Sequence, residues 1–216
     1  MEKRRNISAV LYYFILTAGG TLLVATEYCA IVLCFLFALL HLKNKQWFLL
    51  GGLVCTLGAD FFLVVCTPIQ QLWGMIFFLG AQSLYAAMLH RSHPNRAFLW
   101  IRLGLIAVAE VITAAILKDK TDALALVSIC YYVNLIFNIV LAFVQFRAYR
   151  LFAIGLVFFL LCDTVIGLQV AAGGYLPIAE GSALHSILFA PFNLSWMFYL
   201  PSQVLISFSS RRKQIA

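Results

Sequence analysis

The chain has 216 residues, of which 64% are hydrophobic and only 11% are charged. A soluble domain is nearer half apolar and a quarter charged, so this composition predicts a multi-pass membrane protein. The formal net charge of +7 does not indicate a nucleic-acid partner, because the charges fall between apolar runs, where they set the orientation in a lipid bilayer. Residues 1–216 are expected to form a single transmembrane helical domain.

Apolar runs that can cross a bilayer follow one another along the chain. The hydrocarbon core is roughly 30 Å thick and takes about 20 apolar residues per helix, or fewer when flanking residues reach the interface. In chain order the predicted spans are 7–25, 27–42, 46–66, 70–90, 97–117, 123–146, 150–171 and 184–208. The first two have no obvious loop between them, so the chain has either eight spans or seven. Residues 1–25 also have the basic start of a signal peptide, but their apolar run is longer than usual for one.

The basic residues decide between seven and eight spans. Of the 15 Lys and Arg residues, 13 lie at the N-terminus, in alternate connections or in the C-terminal tail: Lys3, Arg4, Arg5, Lys43, Lys45, Arg91, Arg96, Arg102, Arg147, Arg150, Arg211, Arg212 and Lys213. Only eight spans put all these clusters on one side of the membrane, which is then the cytoplasmic side. The expected fold is therefore all-α, with eight transmembrane helices, both termini cytoplasmic and a turn near Ala25–Glu27.

Cysteines and histidines give no sign of a metal or another cofactor. The six cysteines fall in or at the ends of apolar stretches without a C-x-x-C, so we interpret them as small core residues. No histidine lies in the interior of a predicted span, whereas a zinc hydrolase needs three ligands. No P-loop or G-x-S-x-G pattern occurs. We therefore expect neither a metal site nor a cofactor.

Three acidic residues lie inside the predicted spans: Asp60 in the third, Glu110 in the fifth and Asp163 in the seventh. Each lies 13 residues past the expected start of its helix, counted from Trp47, Ala97 and Arg150. All three helices run outward, which places the acids at one depth, roughly 20 Å from the cytoplasmic edge. An intramembrane carboxyl is expensive and indicates a functional site. We predict that Asp60 and Asp163 are a catalytic pair in one cavity, and that Glu110 lines that cavity or lies near it.

Neutral polar side chains occur on the helices that run inward. Gln82 and Tyr85 share a face of the fourth span, as do Tyr199 and Gln203 in the eighth. Substrate-binding or supporting roles are the functional interpretation, and interhelical hydrogen bonding is the structural alternative. The neutral candidates are Gln82, Tyr85, Tyr131, Asn134, Tyr199 and Gln203.

These residues stand in motifs that resemble those of the lysoplasmalogenase (YhhN-like) family of eight-helix membrane proteins. GLVCTLGADFFLV resembles the family's Gly–Asp motif, and GMIFFLGAQSLYAAML resembles its G-x-x-F-x-x-x-H-x-x-Y helix. IGLVFFLLCDTVIGL is similar to its second acidic motif, and FYLPSQVLI to its closing Tyr-x-x-x-Gln-x-Leu-Ile. Two departures stand out: Ala59 separates Gly58 from Asp60, and Gln82 replaces the motif histidine.

The resemblance implies hydrolysis of the vinyl ether of a lysoplasmalogen, which gives a fatty aldehyde and a glycerophospho-alcohol. The residues suit this reaction, since two carboxyls that share one proton supply both a proton donor and an anion that activates water. If the family histidine carries a proton, Gln82 implies a slow, altered or inactive enzyme. If it only hydrogen-bonds, glutamine can replace it, and we favour a hydrogen bond from Gln82 to an aspartate.

Two other functions compete with hydrolysis. Mid-membrane carboxyls also occur in small proton-coupled transporters, although no inverted repeat is visible here. A non-catalytic lipid-binding relative is the other alternative. The expected partners are a lysophospholipid substrate and the lipid bilayer, with a bacterial plasma membrane as the location. The head group, the alkenyl chain length and the oligomeric state stay open.

Overall fold

The structure is a computed structural model that describes residues 24–42, 46–92, 94–118, 121–174, 179, 181–189 and 193–211. The regular structure of these residues is all helical. The helices are α1 Val24–Leu40, α2 Trp47–Asp60, α3 Gln71–Ser92, α4 Arg96–Leu117, α5 Ala123–Val144, α6 Phe146–Gly174, α7 Ala183–Leu188 and α8 Leu194–Phe208. A π-helical turn, Phe61–Val65, continues α2, and a 3-10 turn, Ser209–Arg211, continues α8.

Five stretches of helix are long and apolar enough to cross a membrane: Trp47–Val65, Gln71–Ser92, Arg96–Ile116, Ala123–Val144 and Phe146–Val170. α1 is a shorter apolar helix. These helices lie within a few residues of the second to seventh predicted spans. The chain is therefore an all-helical, polytopic membrane protein.

The N-terminal part of the prediction needs one correction. The first predicted span, 7–25, lies outside the described residues except for Val24 and Ala25. The turn expected near Ala25–Glu27 is wrong, because α1 is helical across these residues. No Gly or Pro occurs between Val24 and Leu40 to end a helix. Counting basic residues therefore does not locate a turn.

The last predicted span, 184–208, is also wrong as a single helix. The structure has α7 and α8 in its place, and Phe189 lies outside both. The sequence between them contains Pro191, which removes a backbone donor and disfavours helix in the residue before it. Asn193 is the N-cap of α8.

Ring contacts fix the directions of α3, α6 and α8. Phe78 contacts Phe159, with ring centroids 5.5 Å apart, and Tyr85 contacts Phe152 at 5.1 Å. Since the numbers rise along α3 while they fall along α6, these two helices are antiparallel. The same holds for α6 and α8, where Phe159 contacts Tyr199 at 5.5 Å while Gly155 lies against Ile206. It follows that α3 and α8 run in the same direction.

Other contacts place α2, α4 and α6 in one direction and α1, α3, α5 and α8 in the other. This alternation gathers basic residues of the described helices at one end of the bundle, called the basic end below: Arg91, Arg96, Arg147, Arg150 and Arg211. Lys118 lies at the opposite end of α4. The structure therefore agrees with the predicted alternation of the helices from α1 onward.

Gly155 allows close contact between α6 and α8. A Cβ atom there would lie 2.9 Å from Ile206 Cγ1 and 3.1 Å from the Ser202 carbonyl oxygen. We expect Gly155→Ala to lower the stability by about 1–3 kcal/mol, because the helices would have to separate. Thermal unfolding in detergent measures this. Gly167→Ala is the control, since nothing lies within 4 Å of a Cβ atom there. Equal melting temperatures for the two variants would contradict the prediction.

Candidate functional site

Asp60 is the last residue of α2, at the point where the helix becomes π-helical. Its side chain is 3% exposed, and the Tyr199 hydroxyl lies 2.7 Å from each carboxylate oxygen. The backbone N–H of Cys66 donates to the Phe61 carbonyl at 3.0 Å, closing a single wide turn directly after the acid. Such π turns are frequent at functional sites. Sequence reasoning missed this turn, because the run FFLVV carries no signal for it.

Asp163, on α6, has a tyrosine partner of its own. The Tyr131 hydroxyl of α5 donates to Asp163 Oδ2. One residue further along both helices, the Tyr132 hydroxyl lies 2.9 Å from Thr164 Oγ1. Thr164 Oγ1 donates to its own helix, so Tyr132 is the donor between the helices. We call Asp60–Tyr199 and Asp163–Tyr131 the acid–tyrosine pairs.

The acid–tyrosine pairs meet in one aromatic cluster. The Phe78 ring lies 5.8 Å from Tyr131 and 6.5 Å from Tyr199, and the Phe159 ring lies 6.5 and 5.5 Å from the same two tyrosines. The Cys162 thiol is within electrostatic range of both carboxyls. Among the described residues, no hydrogen bond joins one carboxyl to the other. Direct coupling of the two aspartates therefore stays a prediction.

The predicted place of Glu110, lining the cavity of the two aspartates or lying near it, stays a prediction. Glu110 lies where α4 packs on α5, within electrostatic range of the Cys130 thiol, and its Oε2 has no hydrogen-bond partner. It shows no described contact with either aspartate. α4 is peripheral, with none of the residues in its membrane-spanning window buried. Equal depth fixes the height of a residue along the bundle, but it does not fix the neighbour that the residue faces.

A layer of carboxamide side chains lies closer to the basic end of the bundle than the acid–tyrosine pairs do. Gln82, Asn138 and Gln203 are fully buried, and we call them the carboxamide layer. Asn138 Nδ2 donates to the backbone oxygen of Gln82 at 2.8 Å and to its Oε1 at 2.9 Å. The expected hydrogen bond from Gln82 to an aspartate is wrong, because Gln82 Nε2, its side-chain donor, has no hydrogen-bond partner. Gln82 lies four residues past Phe78, one helical turn away from the acids, and Asn138 is the group it meets there.

Two more of the candidate residues lie beside these layers. Tyr85 packs against α2 at Gly52, where a Cβ atom would overlap the Tyr85 ring. Asn134 Nδ2 donates to the Cys130 carbonyl one turn earlier in α5, at 2.7 Å, and Asn134 Oδ1 is buried without a partner. The structure thus brings Asp60, Asp163, Tyr131 and Tyr199 together. Asn134 lies one turn along α5 from Tyr131, and Tyr85 belongs to the packing of α2 on α3.

Metal ligation has no geometric basis in the part of the chain that the structure describes. No group of three His, Cys, Asp or Glu side chains there is placed to hold a metal ion. The six cysteines form no disulfide and are all free.

Gln82 allows a direct test of the missing histidine. We expect Gln82→Leu to lower the stability by about 1–3 kcal/mol, because it removes the side-chain acceptor for Asn138 in a buried position. We expect Gln82→His to leave the rate of aldehyde release from a lysoplasmalogen unchanged or lower. Thermal unfolding and the pH–rate profile measure these effects. A Gln82→His variant that is much faster than the parent, with a new titration near pH 5–8, would show that the chain is an impaired enzyme.

Comparison with known proteins gives a family but no individual relative. The model of the YhhN family matches residues 21–210, which cover helices α1 to α8. Neither the curated proteins nor the solved structures yielded a match. With most of its length matched, the chain belongs to the YhhN family, which includes the lysoplasmalogenases.

Proposed function

We propose that this protein is an intramembrane hydrolase that cleaves the vinyl ether of a lysoplasmalogen. The products are a fatty aldehyde and a glycerophospho-alcohol. The observation that carries the proposal is the pair of carboxyls, Asp60 and Asp163, each bound by a tyrosine hydroxyl in one aromatic cluster. Membership of the YhhN family supports the same reaction class.

The two carboxyls suit an enol ether. One carboxyl, in its protonated form, transfers its proton to the β-carbon of the double bond, which leaves an oxocarbenium ion. The other, as a carboxylate, stabilises this cation and takes a proton from the water that adds to the α-carbon. The hemiacetal then splits: the carboxyl that took a proton from water gives it to the ether oxygen, which leaves as the alcohol, and the carboxylate left by the first step takes the proton of the hydroxyl, which gives the aldehyde. One vinyl ether and one water are consumed, and both carboxyls end with the protons they started with.

The tyrosines hold the carboxyls in place for this chemistry. Tyr199 contacts both oxygens of Asp60, and Tyr131 contacts one oxygen of Asp163. Each hydroxyl fixes the direction of its carboxyl, which matters because proton transfer needs hydrogen-bond distances. The rings of Phe78 and Phe159 supply an apolar wall beside the acids that suits an alkenyl chain, and the polar head group would lie toward the outer side of the membrane.

Aldehyde release tests the proposed reaction. Purified protein in detergent is incubated with a lysoplasmalogen and, as the matched control, with the same lipid carrying a saturated alkyl ether. We expect aldehyde from the vinyl ether alone, since only the vinyl ether can be protonated at carbon. Binding of the lipid without aldehyde would favour a non-catalytic relative. Proton uptake by vesicles that contain the protein, without aldehyde, would favour a transporter.

We also propose eight spans with both termini on the cytoplasmic side, supported by the basic end, where Arg residues of α3, α4 and α6 and Arg211 after α8 lie together. A membrane-impermeant maleimide applied to Ser8→Cys and Ala216→Cys, in a variant without the native cysteines, tests this orientation. Ser210 is unsuitable for labelling, since it is fully buried. We expect both positions to react from the cytoplasmic face only. Reaction from opposite faces would contradict eight spans. A bacterial plasma membrane as the location stays a prediction.

A further inference from the structure

The carboxamide layer is buried inside the bundle. Phe78 of α3 and Tyr199 of α8 are in ring contact at 6.5 Å. Gln82 and Gln203 each follow four residues later, and α3 and α8 run in the same direction. Both glutamines therefore lie one helical turn from the acid–tyrosine pairs, toward the basic end. Ser202, three residues after Tyr199, lies on the same face of α8 and is fully buried.

Several buried polar atoms of the carboxamide layer and Ser202 have no hydrogen-bond partner within the protein. Gln82 Nε2, Asn138 Oδ1, Ser202 Oγ and both amide atoms of Gln203 are buried without a partner. A buried polar group left unpaired costs about 1–3 kcal/mol, and this group has both donors and acceptors. A site with both donors and acceptors does not favour an anion, which needs donors, or a cation, which needs acceptors. It suits water, which both donates and accepts and which commonly makes about three hydrogen bonds in buried sites.

We propose that the carboxamide layer and Ser202 bind the water molecule that adds to the oxocarbenium ion. This inference rests on the proposed hydrolysis and adds the place from which its nucleophile comes. The substrate's head group lies toward the outer side of the acids, whereas this layer lies on the side of the basic end. The oxygen of the water forms a bond to the α-carbon, and one of its protons passes to the carboxylate. Gln82, Asn138, Ser202 and Gln203 are positioning residues and transfer no proton.

Loss of the bound water has a chemical signature. When the cation forms and no water captures it, the β-carbon returns a proton to the carboxylate and the vinyl ether is restored. In D₂O the carboxyl delivers a deuteron, so the β-carbon of the cation carries one hydrogen and one deuterium. Either of the two can then be lost when the vinyl ether re-forms. Loss of the light hydrogen leaves deuterium in the recovered substrate. A variant that folds but positions water poorly should therefore exchange hydrogen at the β-carbon without forming products.

The experiment compares Gln203→Leu and Ser202→Ala with the parent in D₂O. Aldehyde release is followed, and unreacted lipid is analysed by mass spectrometry for one added deuterium at the β-carbon. We expect aldehyde release to fall about tenfold or more in Gln203→Leu, with deuterium in the recovered substrate of both variants and none from the parent. Ser210→Ala is the matched control for Ser202→Ala: Ser210 Oγ is equally buried and unpartnered, two turns further from the acids.

The outcomes separate this inference from the proposed function. A parent that releases no aldehyde overturns the proposed hydrolysis and the water site with it. An active parent whose Gln203→Leu and Ser202→Ala variants show no exchange overturns the water site alone, as does equal exchange in Ser210→Ala. If Gln203→Leu does not fold, Ser202→Ala gives the same readout, because it removes only a hydroxyl.

Discussion

Asp60→Asn and Asp163→Asn are each expected to slow aldehyde release by about 10²- to 10⁴-fold, the usual contribution of a positioned acid or base. The two carboxyls act as a unit in the proposed reaction, so losing either removes most of the acceleration. The folded structure should persist, because an asparagine oxygen still accepts the hydrogen bond from Tyr199 or Tyr131. The measurement is the initial rate with a lysoplasmalogen, beside thermal unfolding of each variant.

Glu110→Gln is the matched control for both aspartates. Glu110 is also an acid inside a transmembrane helix, but it lies at the contact of α4 with α5 and makes no described contact with the two aspartates. We expect this variant to retain the parent's rate. Full activity in Asp60→Asn or Asp163→Asn would remove that residue from the acid–base pair. Loss of activity in Glu110→Gln would show that Glu110 belongs to the site.

The second large effect is expected from the tyrosines. Tyr199→Phe removes the described hydrogen bonds to Asp60, and Tyr131→Phe removes the one to Asp163. Leaving a buried acceptor unpaired costs about 1–3 kcal/mol of stability. A carboxyl displaced by about 1 Å can also lose roughly 10²-fold in rate. We therefore expect both variants to lose melting temperature and rate, measured by thermal unfolding and aldehyde release.

Tyr132→Phe tests whether the effect on rate depends on the acids. Tyr132 neighbours Tyr131 in the chain, but its hydroxyl bonds to Thr164 instead of a carboxyl. We expect a loss of about 1 kcal/mol in stability and an unchanged rate. Equal losses of rate in Tyr131→Phe and Tyr132→Phe would mean that both hydroxyls act only by stabilising the packing of α5 on α6.

The features that the sequence predicted well are those set by one helix at a time. Long apolar runs require helices in lipid, since every backbone group must be paired within the helix. The positions of Lys and Arg indicated the alternation of the helices. The assignment of Asp60 and Asp163 as a catalytic pair stays a prediction. Both aspartates prove to be bound by tyrosines that were already candidates. The pairing itself was not predicted, because spacing along a helix does not identify the helix opposite.

The wrong predictions have the same cause: the sequence does not show which residues of other helices a side chain meets. Gln82 has the expected burial, but Asn138 is its partner. The turn expected at Ala25–Glu27 was inferred from charge counting, which contains no information on where a helix ends. The π turn after Asp60 has no counterpart in composition or periodicity, because it depends on how α2 packs against its neighbours.

The hydrogen bonds between Asp60 and Tyr199 have a consequence for biosynthesis. The two residues are 139 positions apart in the chain. Chains are made from the N-terminus, so α2 is synthesised well before α8 leaves the ribosome. Until α8 docks, Asp60 lacks the hydroxyl that orients it, and the proposed reaction centre is incomplete. In the proposed reaction, activity would therefore arise only after α8 has docked, and a protein truncated before Tyr199 would insert the helices that precede α8 yet release no aldehyde.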